Sequence, residues 1–246
     1  MRILLVADAH ANIHALRNVF EHARGYDFVI FIGDSVDYGP HPSEVIDFLR
    51  EHVDIWVMGN HDNAVAWNVD CSCGEKLHAL SVYTRKMISL KKLDKNHINF
   101  LQSLPIKRET DIEGVKLYIV HASPRDPLYG YLFPHLPEDK LKEMLVEKTP
   151  TGSKPVNCDY LVVGHTHMPM NRNVGPLTIV NPGSVGQPRD GDPRASYAIL
   201  DTKEDKFEVY RVKYPVEKTI AYIKALNLEK DYEELLIRIL TTGSVE

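Results

Sequence analysis

Three short apolar runs among the first 60 residues constrain the fold of this chain more than any other feature. They cover residues 3–7, 28–32 and 55–58 and consist of Ile, Leu, Val and aromatic side chains, apart from one Ala and one Met. Runs of this length and composition are typical of strands that are buried on both faces. Between them, residues 13–20 and 43–49 carry apolar side chains at helical spacing. The order strand, helix, strand, helix, strand predicts an α/β fold with a parallel sheet.

Each of these runs, and two later ones at 115–120 and 160–163, ends at residues that commonly bind metal ions. Strand ends in an open α/β sheet converge on one crevice, so side chains far apart in sequence can meet there. Four histidines, two aspartates and one asparagine are more than one ion needs, and such mixed donors suit transition metals rather than calcium. The sequence therefore predicts a two-metal hydrolase. The residues are Asp8, His10, Asp34, Asn60, His121, His165 and His167.

Each of these residues, taken alone, has a simpler explanation. A single histidine is more often structural or exposed, and Asp8 or Asp34 could cap the helix that follows its strand. The combination is different, because five independent strand ends would each have to acquire a metal-binding side chain by chance. We therefore interpret the whole set as one site.

The composition argues against some classes of partner. With 246 residues, 43% apolar and 26% charged, the chain resembles an ordinary globular protein and is long enough to bury a substantial core. The net charge of −5 argues against binding to long nucleic acid or to an anionic membrane, although it leaves a local basic pocket open. An anionic substrate would have to be attracted by metal ions and a few basic side chains.

Two further features favour a cytoplasmic location. The first apolar run is too short for the core of a signal peptide, and no segment approaches the roughly 20 apolar residues that span a bilayer. The cysteines are Cys71, Cys73 and Cys158, and the Cys71-Ser72-Cys73 spacing differs from the CxxC pairs of structural zinc sites. We expect free thiols in a reducing compartment, with a redox or metal role for the Cys71 and Cys73 pair left open.

We expect a single domain over residues 1–246 with a cap-like helical insertion at about 63–103. The insertion shows no clear strand and contains two helical patterns, one at 76–90 and one that starts near residue 94. Because it directly follows the loop that carries Asn60, it is well placed to cover a site. Beyond it, strands are predicted at 177–180, 196–200 and 207–212, antiparallel because their connections are short, and closing helices at 216–226 and 232–240.

In this order, the motifs resemble those of the calcineurin-like metallophosphoesterases, and the resemblance covers essentially the whole chain. Gly33–Pro40 and Asn181–Arg189 look like the small prokaryotic phosphodiesterase-like branch of that family. Ala7 stands where Ser commonly precedes the first Asp, and Ala11 where Gly often follows the first His, but neither is a candidate ligand. The resemblance implies an α/β fold that is a four-layer α/β/β/α sandwich with two central mixed sheets and a small helical insertion.

The resemblance also implies that the ligands divide between two divalent ions, with one carboxylate bridging them. Two ions about 3.5–4 Å apart can bind phosphoryl oxygens and activate a shared water for in-line attack on phosphorus. Mn, Ni, Fe, Zn and Co all remain open as the metal. One ion would take Asp8, His10, Asp34 and His167, and the other would take Asp34, Asn60, His121 and His165.

Beside these ligands, the resemblance implies that His61 and Asp62 are a catalytic pair. His61 would protonate the leaving group or stabilise the phosphoryl charge, and Asp62 would hold its imidazole in the right tautomer and keep it cationic. Four other side chains near the motifs could contact the substrate phosphate, with a solvated surface role equally open for the arginines. They are Asn12, which could also cap the first helix, Arg125, Arg189 and Arg194.

The leading hypothesis is metal-dependent hydrolysis of a small phosphate ester, in the first place a phosphodiester. A phosphomonoesterase or a dinucleoside polyphosphate hydrolase is the alternative within the same chemistry, and the specificity would come from residues 63–103. A non-catalytic metal-binding scaffold is a competing class, and the presence of His61 beside every candidate ligand argues against it. The lack of a basic run with interleaved aromatic residues argues against a nuclease that acts on long polymers. The sequence leaves a homo-oligomer open.

Overall fold

The computed structural model describes every residue from Met1 to Glu246 and contains twelve strands and a series of helices. In chain order the strands are β1 (Arg2–Val6), β2 (Phe28–Phe31), β3 (Ile55–Trp56), β4 (Lys107–Ile112), β5 (Val115–Val120), β6 (Val146–Thr149), β7 (Gly152–Pro155), β8 (Tyr160–Val162), β9 (Met170–Val174), β10 (Leu177–Asn181), β11 (Ala195–Asp201) and β12 (Lys206–Val212). The helices are α1 (Ile13–His22), α2 (Pro42–His52), α3 (Asn60–Trp67), α4 (Glu75–Thr84), which continues through a π-helical turn at Arg85–Ser89 into α5 (Leu90–Lys92), α6 (Lys95–Ser103), α7 (Glu138–Met144), α8 (Val216–Ala225) and α9 (Lys230–Thr242).

The strands form two mixed five-stranded sheets and one small ribbon. The first sheet has the order β12-β11-β1-β2-β3, in which β1, β2 and β3 are parallel, β11 is antiparallel to β1, and β12 is antiparallel to β11. The second has the order β4-β5-β8-β10-β9, with β5, β8 and β10 parallel and an antiparallel strand on each edge. Each sheet thus keeps a parallel centre, which brings the carboxyl ends of its central strands to one edge.

The first strand shows why its sequence is apolar without alternation. Ile3 and Leu5 pack into a core that lies between the two sheets, together with Leu117 of the second sheet. Leu4 and Val6 point the other way and pack with the apolar faces of α1 and α2. Because neither face of β1 meets water, a continuous apolar run is required at this position.

The outer face of the second sheet is also covered by a helix, α7. Tyr118 and Leu161 of that sheet pack against Leu141 and Leu145, which belong to α7 and the residue that ends it. The layers are therefore helices, sheet, sheet and a thinner helical cover, as predicted, so the four-layer α/β/β/α sandwich with two mixed sheets is confirmed. None of the helices combines the length and the apolar character needed to cross a bilayer.

The helical segment at 63–103 packs on the closing helices rather than standing apart. Leu77, Leu80 and Ile88 share an apolar cluster with Ile223 of α8 and Ile239 of α9. The buried ring of Tyr38, from the loop after β2, lies in the same cluster. The segment is thereby attached to the loop that carries Asp34, which places it beside the predicted site.

The strand pattern differs from the prediction in the direction of one strand and in edge strands that were not predicted. The strand at 177–181 is parallel to β8, and its antiparallel partner is β9, a strand that the sequence did not reveal. β4 was missed as well. Both are edge strands with several polar, solvent-facing side chains, in Met170–Val174 and Lys107–Ile112, so they lack the apolar pattern that marks a buried strand.

Candidate metal centre

The loops that follow β1, β2, β5 and β8, together with the start of α3, converge at one edge of the sandwich. They carry all seven predicted ligands, each of which is at most 3% exposed. Five of these residues have positive φ angles between 42° and 65°, namely Asp8, His10, Asp34, His165 and His167. Residues other than glycine rarely adopt this backbone conformation. Those that do are concentrated at functional sites, where the surrounding structure holds them in place.

The loops can approach so closely because a glycine stands at the contact point. A side chain at Gly59 would place its Cβ 2.1 Å from Oδ1 of Asp34 and 2.4 Å from the Asp34 backbone nitrogen. Any residue with a Cβ would therefore push the start of α3 away from Asp34. The glycine that precedes Asn60 in the motif is explained by this contact.

Asp8, His10 and His167 form the first group of donors. Their ligand atoms all lie within 4.8 Å of one another. Nε2 of His167 is 3.4 Å from Oδ1 of Asp8 and 3.2 Å from Nε2 of His10. Three donors from two loops therefore face one point.

Asp34, His121 and His165 form the second group, again within 4.8 Å of one another. Nε2 of His121 lies 3.3 Å from Oδ2 of Asp34 and 3.1 Å from Oδ1 of Asn60, which brings the asparagine to the same point. The same Oδ2 is 3.7 Å from Nε2 of His10 in the first group. Asp34 therefore stands between the two groups.

The histidines are oriented so that they offer lone pairs to a cation. The Nδ1 atoms of His10, His121 and His167 lie 2.9, 2.7 and 2.6 Å from the carbonyl oxygens of Val36, Ile32 and Gln187. A carbonyl oxygen only accepts, so each Nδ1 carries a proton, and on the neutral rings of His10 and His167 each Nε2 presents a lone pair. The Asp34 carboxylate raises the pKa of His121 to about 9 against the effect of burial, so this ring would release its Nε2 proton when a cation binds. Two such lone pairs, on His10 and His167, face each other without a proton between them. A bound cation would resolve this arrangement.

The buried carboxylates point to the same conclusion. Both oxygens of Asp8, Oδ2 of Asp34 and Nε2 of His165 are buried and have no hydrogen-bond partner. An unpaired buried polar atom costs several kcal/mol in general, so these atoms call for a ligand. Burial raises the pKa of Asp8 to about 7, whereas it lowers the pKa values of His10, His165 and His167 and keeps these rings neutral. Neutral imidazoles with carboxylate and amide oxygens are a donor set suited to divalent transition metals.

His61 lies beside the two groups and has a different partner set. Its Nε2 is 4.0 Å from Oδ2 of Asp34, and its Nδ1 is 2.9 Å from Oδ2 of Asp37. Burial alone would lower the pKa of His61, but the carboxylates of Asp34 and Asp37 outweigh it and raise this pKa. The ring is therefore held with one nitrogen facing the metal-binding atoms and with its charged form favoured.

The partner of His61 is Asp37, and the prediction that Asp62 orients the ring is wrong. Oδ2 of Asp62 accepts from the backbone nitrogens of Asp34 and Gly59, and Oδ1 accepts from the backbone nitrogen and hydroxyl of Ser35, at distances of 2.6 to 3.0 Å. Asp62 thus organises the loops. Asp37 is part of the Gly33–Pro40 motif, but nothing in that motif links it to His61.

A second finding about Asp37 is that the helical segment holds it. Its carboxylate accepts from Nε of Arg85 at 3.2 Å and from the hydroxyl of Ser89 at 2.9 Å. Both residues belong to the π-helical turn between α4 and α5, a kind of irregularity that often marks functional sites. The segment thereby fixes the carboxylate that fixes His61.

Comparison with known proteins decides the family. A sequence model of the calcineurin-like phosphoesterase superfamily domain matches residues 1–205. The chain belongs to this superfamily. As a calcineurin-like metallophosphoesterase it is a hydrolase of phosphate esters, and the grouped histidine and aspartate side chains could bind its metal.

Individual relatives agree with this placement. The uncharacterized protein MJ0912 of Methanocaldococcus jannaschii is 34% identical over 235 residues, which cover 88% of this chain and 89% of that protein. The phosphodiesterase YfcE of Escherichia coli K12 is 26% identical over 82% of this chain and 88% of its own length. The crystal structure of a metallophosphoesterase from Sphaerobacter thermophilus superposes with a TM-score of 0.79 at 29% identity, over 99% of both chains.

Four residues of this metallophosphoesterase were predicted to contact the substrate, three of them arginines. Of the three arginines, the structure brings only Arg189 to the metal centre. Arg189 is close enough that its charge favours the ionised carboxylate of Asp8 and the neutral rings of His10, His165 and His167, and its buried Nε has no partner. Arg194 is paired with Asp192 at the surface. Arg125 donates to the carbonyl of Glu143 and lines a separate depression beside Glu147.

Asn12 confirms the helix-capping prediction, and its amide has no donor left for a substrate. Its Oδ1 accepts from the backbone nitrogen of Ala15 and from the hydroxyl of Thr219. Its Nδ2 donates to the carbonyl of Gly186 and to the hydroxyl of Tyr214. The asparagine therefore ties α1 to α8 and to the loop after β10.

The different tasks of the two aspartates lead to a test of stability. Replacing Asp62 by Asn should lower the free energy of unfolding by about 3 kcal/mol, because an amide nitrogen would face backbone N–H groups that now donate to a buried carboxylate. Urea denaturation would measure the change. The same substitution at Asp139, an exposed position of α7, should change stability by less than about 0.5 kcal/mol. Equal stabilities for the two variants would contradict the loop-organising role.

Proposed function

We propose that this metallophosphoesterase is a phosphodiesterase that uses two divalent transition-metal ions held around Asp34. The observation that carries the proposal is the position of Oδ2 of Asp34. This oxygen has no hydrogen-bond partner and lies within 4.0 Å of Nε2 atoms from both groups of donors. The phosphodiesterase activity named for the relative YfcE supports a diester as the substrate.

The two groups of donors support a division of the ligands between the ions in which Asp34, which stands between the groups, is shared. Mixed nitrogen and oxygen donors favour Mn, Ni, Fe, Zn or Co, with Mn²⁺ the first ion to test. One ion would be held by Asp8, His10, Asp34 and His167, and the other by Asp34, Asn60, His121 and His165.

When bound, such ions supply Lewis-acid activation of a water and of the phosphoryl oxygens. The remaining chemistry falls to side chains of this protein. With Nδ1–H donating to Asp37, a cationic His61 carries its second proton on Nε2, the nitrogen that faces Asp34, and can give it to the leaving oxygen. Asp37 favours this charged form, and Arg85 keeps Asp37 in place.

Arg189 would neutralise the phosphate charge that remains. Its guanidinium lies over the ring of Tyr38 at 5.9 Å and donates to Gln187 at 2.6 Å, so it is held from two sides. The unpaired Nε leaves a donor for a phosphate oxygen. We assign the phosphate contact to Arg189 and leave Arg125 and Arg194 out of the site.

The test is hydrolysis of bis-(p-nitrophenyl) phosphate by the full-length protein. We expect turnover with Mn²⁺ or Ni²⁺, complete loss in EDTA, and recovery when the metal is added back. p-Nitrophenyl phosphate, assayed in parallel, separates a diesterase from a monoesterase, and metal analysis should give two ions per chain. A metal-loaded protein that cleaves neither ester would refute the proposed function, and faster cleavage of the monoester would refute the preference for diesters.

A further inference from the structure

A cleft of about 350 Å³ is lined by Thr166 and by Tyr131, whose ring contacts the predicted ligand His165. Gly74 and Leu77 of the helical segment form one wall, and Tyr131 and Phe133 of the loop after β5 form another. Thr166, which stands between His165 and His167, and Arg189 form the end that faces the metal centre. The volume lies within the roughly 300–1,000 Å³ of small-molecule sites.

The aromatic wall begins at a predicted metal ligand and leads away from it. The ring of His165 stacks on Tyr131 at 4.0 Å between centroids, and Tyr131 stacks on Phe133 at 5.1 Å with the planes 3° apart. Phe133 is followed by His135 at 5.5 Å. These rings thus form a stacked row that starts at the predicted ligand His165, and two of them, Tyr131 and Phe133, line the cleft.

The polar groups of the cleft are distributed unevenly. Arg189, with its unpaired Nε, lies beside Thr166 at the end near the metal centre, and Glu75 and Lys76 of α4 also line the cleft. Leu77, Met168 and Val245 add to the apolar lining that Tyr131 and Phe133 provide. A ligand that fits this distribution is anionic at one end and flat and apolar beyond it. A phosphate that carries an aromatic group has this form.

We propose that the cleft binds a planar aromatic group, a nucleobase or an aryl ring, of the ester whose phosphate lies at the metal centre. The inference rests on the proposed function and adds the substrate class to it. Aromatic contacts contribute about 0.5–1.5 kcal/mol beyond the area they bury, so an aromatic ester should bind more tightly than an alkyl one by a factor of about two to ten.

Binding can be measured without turnover on the full-length, Mn²⁺-loaded protein by isothermal titration calorimetry. The probes are phosphonates in which CH₂ replaces the bridging ester oxygen: the isostere of adenosine 5′-monophosphate, benzylphosphonate and propylphosphonate. We expect one or both aromatic probes to bind more tightly than propylphosphonate by a factor of about two to ten. The tighter of the two identifies a nucleoside or a simple aryl group. Equal affinity of all three probes, or no binding of either aromatic probe, would overturn the proposal.

Two variants tie the preference to this cleft. Phe133→Leu keeps an apolar side chain and should reduce the aromatic preference several-fold, with the affinity for propylphosphonate unchanged. Gly74→Phe should fill the cleft without strain, because a Cβ at Gly74 meets no atom within 4 Å and its φ is −55°. Tyr222→Leu, at a half-exposed ring on α8, is the control and should change nothing.

Failure of this inference can be distinguished from failure of the proposed function. If bis-(p-nitrophenyl) phosphate is hydrolysed while the aromatic probes show no preference that Phe133→Leu or Gly74→Phe removes, the cleft proposal alone is wrong. If the metal-loaded protein hydrolyses no ester, the proposed function is wrong, whatever preference the aromatic probes show in binding.

Discussion

An Asp34→Asn variant is expected to lose hydrolysis of bis-(p-nitrophenyl) phosphate and to weaken binding at both metal positions. A single carboxylate oxygen lies 3.3 Å from Nε2 of His121 and 3.7 Å from Nε2 of His10, so its charge serves both groups of donors. An amide is uncharged and holds two cations poorly. Loss of a residue that merely supports a ligand lowers metal affinity about 10–100-fold, so loss of this shared ligand should exceed about 100-fold. Metal content after dialysis and calorimetric titration with Mn²⁺ would measure it.

The matched control is Asp8→Asn, which removes a carboxylate from one group only. This variant should lose one ion and keep the other, while Asp139→Asn, at an exposed carboxylate on α7, should keep both ions and full activity. Two bound ions in Asp34→Asn would contradict a bridging role. If Asp8→Asn and Asp34→Asn lost equal amounts of metal, the division into two groups would be wrong.

The convergence of the ligands could be predicted because it follows from parallel strands. The apolar runs before Asp8 and Asp34 are too continuous to be anything but buried strands, and the ends of such strands meet at one edge. This prediction did not require the conformation of the loops that connect the strands. The edge strands β4 and β9 could not be predicted in the same way, since their polar residues face water and leave no apolar pattern.

The partner of His61 could not be predicted, because neighbours in sequence diverge on a helix. His61 and Asp62 are the second and third residues of α3, and consecutive helical side chains point about 100° apart. Asp62 therefore turns back to the backbone nitrogen of Gly59, while the His61 ring faces Asp37 from another loop. Contacts between loops depend on how the helical segment packs, and Arg85 and Ser89 of that segment have no mark in the sequence that links them to Asp37.

If His61 is the proposed proton donor, replacing it by Ala should lower kcat by about 10²–10⁴-fold and leave two metal ions bound, because the ring is not among the proposed ligands. The size of the loss should depend on the leaving group. p-Nitrophenolate leaves without much help, whereas an alkoxide needs a proton as the bond to phosphorus breaks. We therefore expect the loss of kcat to lie at the lower end of this range for bis-(p-nitrophenyl) phosphate. For an ester that releases an alcohol, it should lie at the upper end. His52→Ala, at an exposed ring on α2, is the control.

The same experiment tests Asp37 through its effect on His61. Asp37→Asn removes the carboxylate that accepts from Nδ1 of His61 and helps to raise the pKa of this ring. The ring should therefore lose its proton at lower pH, and the falling limb of the plot of kcat against pH should shift to lower pH. If Asp37 acts only through the ring, this substitution should have no further effect on kcat in the His61→Ala background, a non-additivity typical of coupled residues. An equal loss for good and poor leaving groups in His61→Ala would instead assign the histidine to charge stabilisation, and a fully additive double variant would detach Asp37 from it.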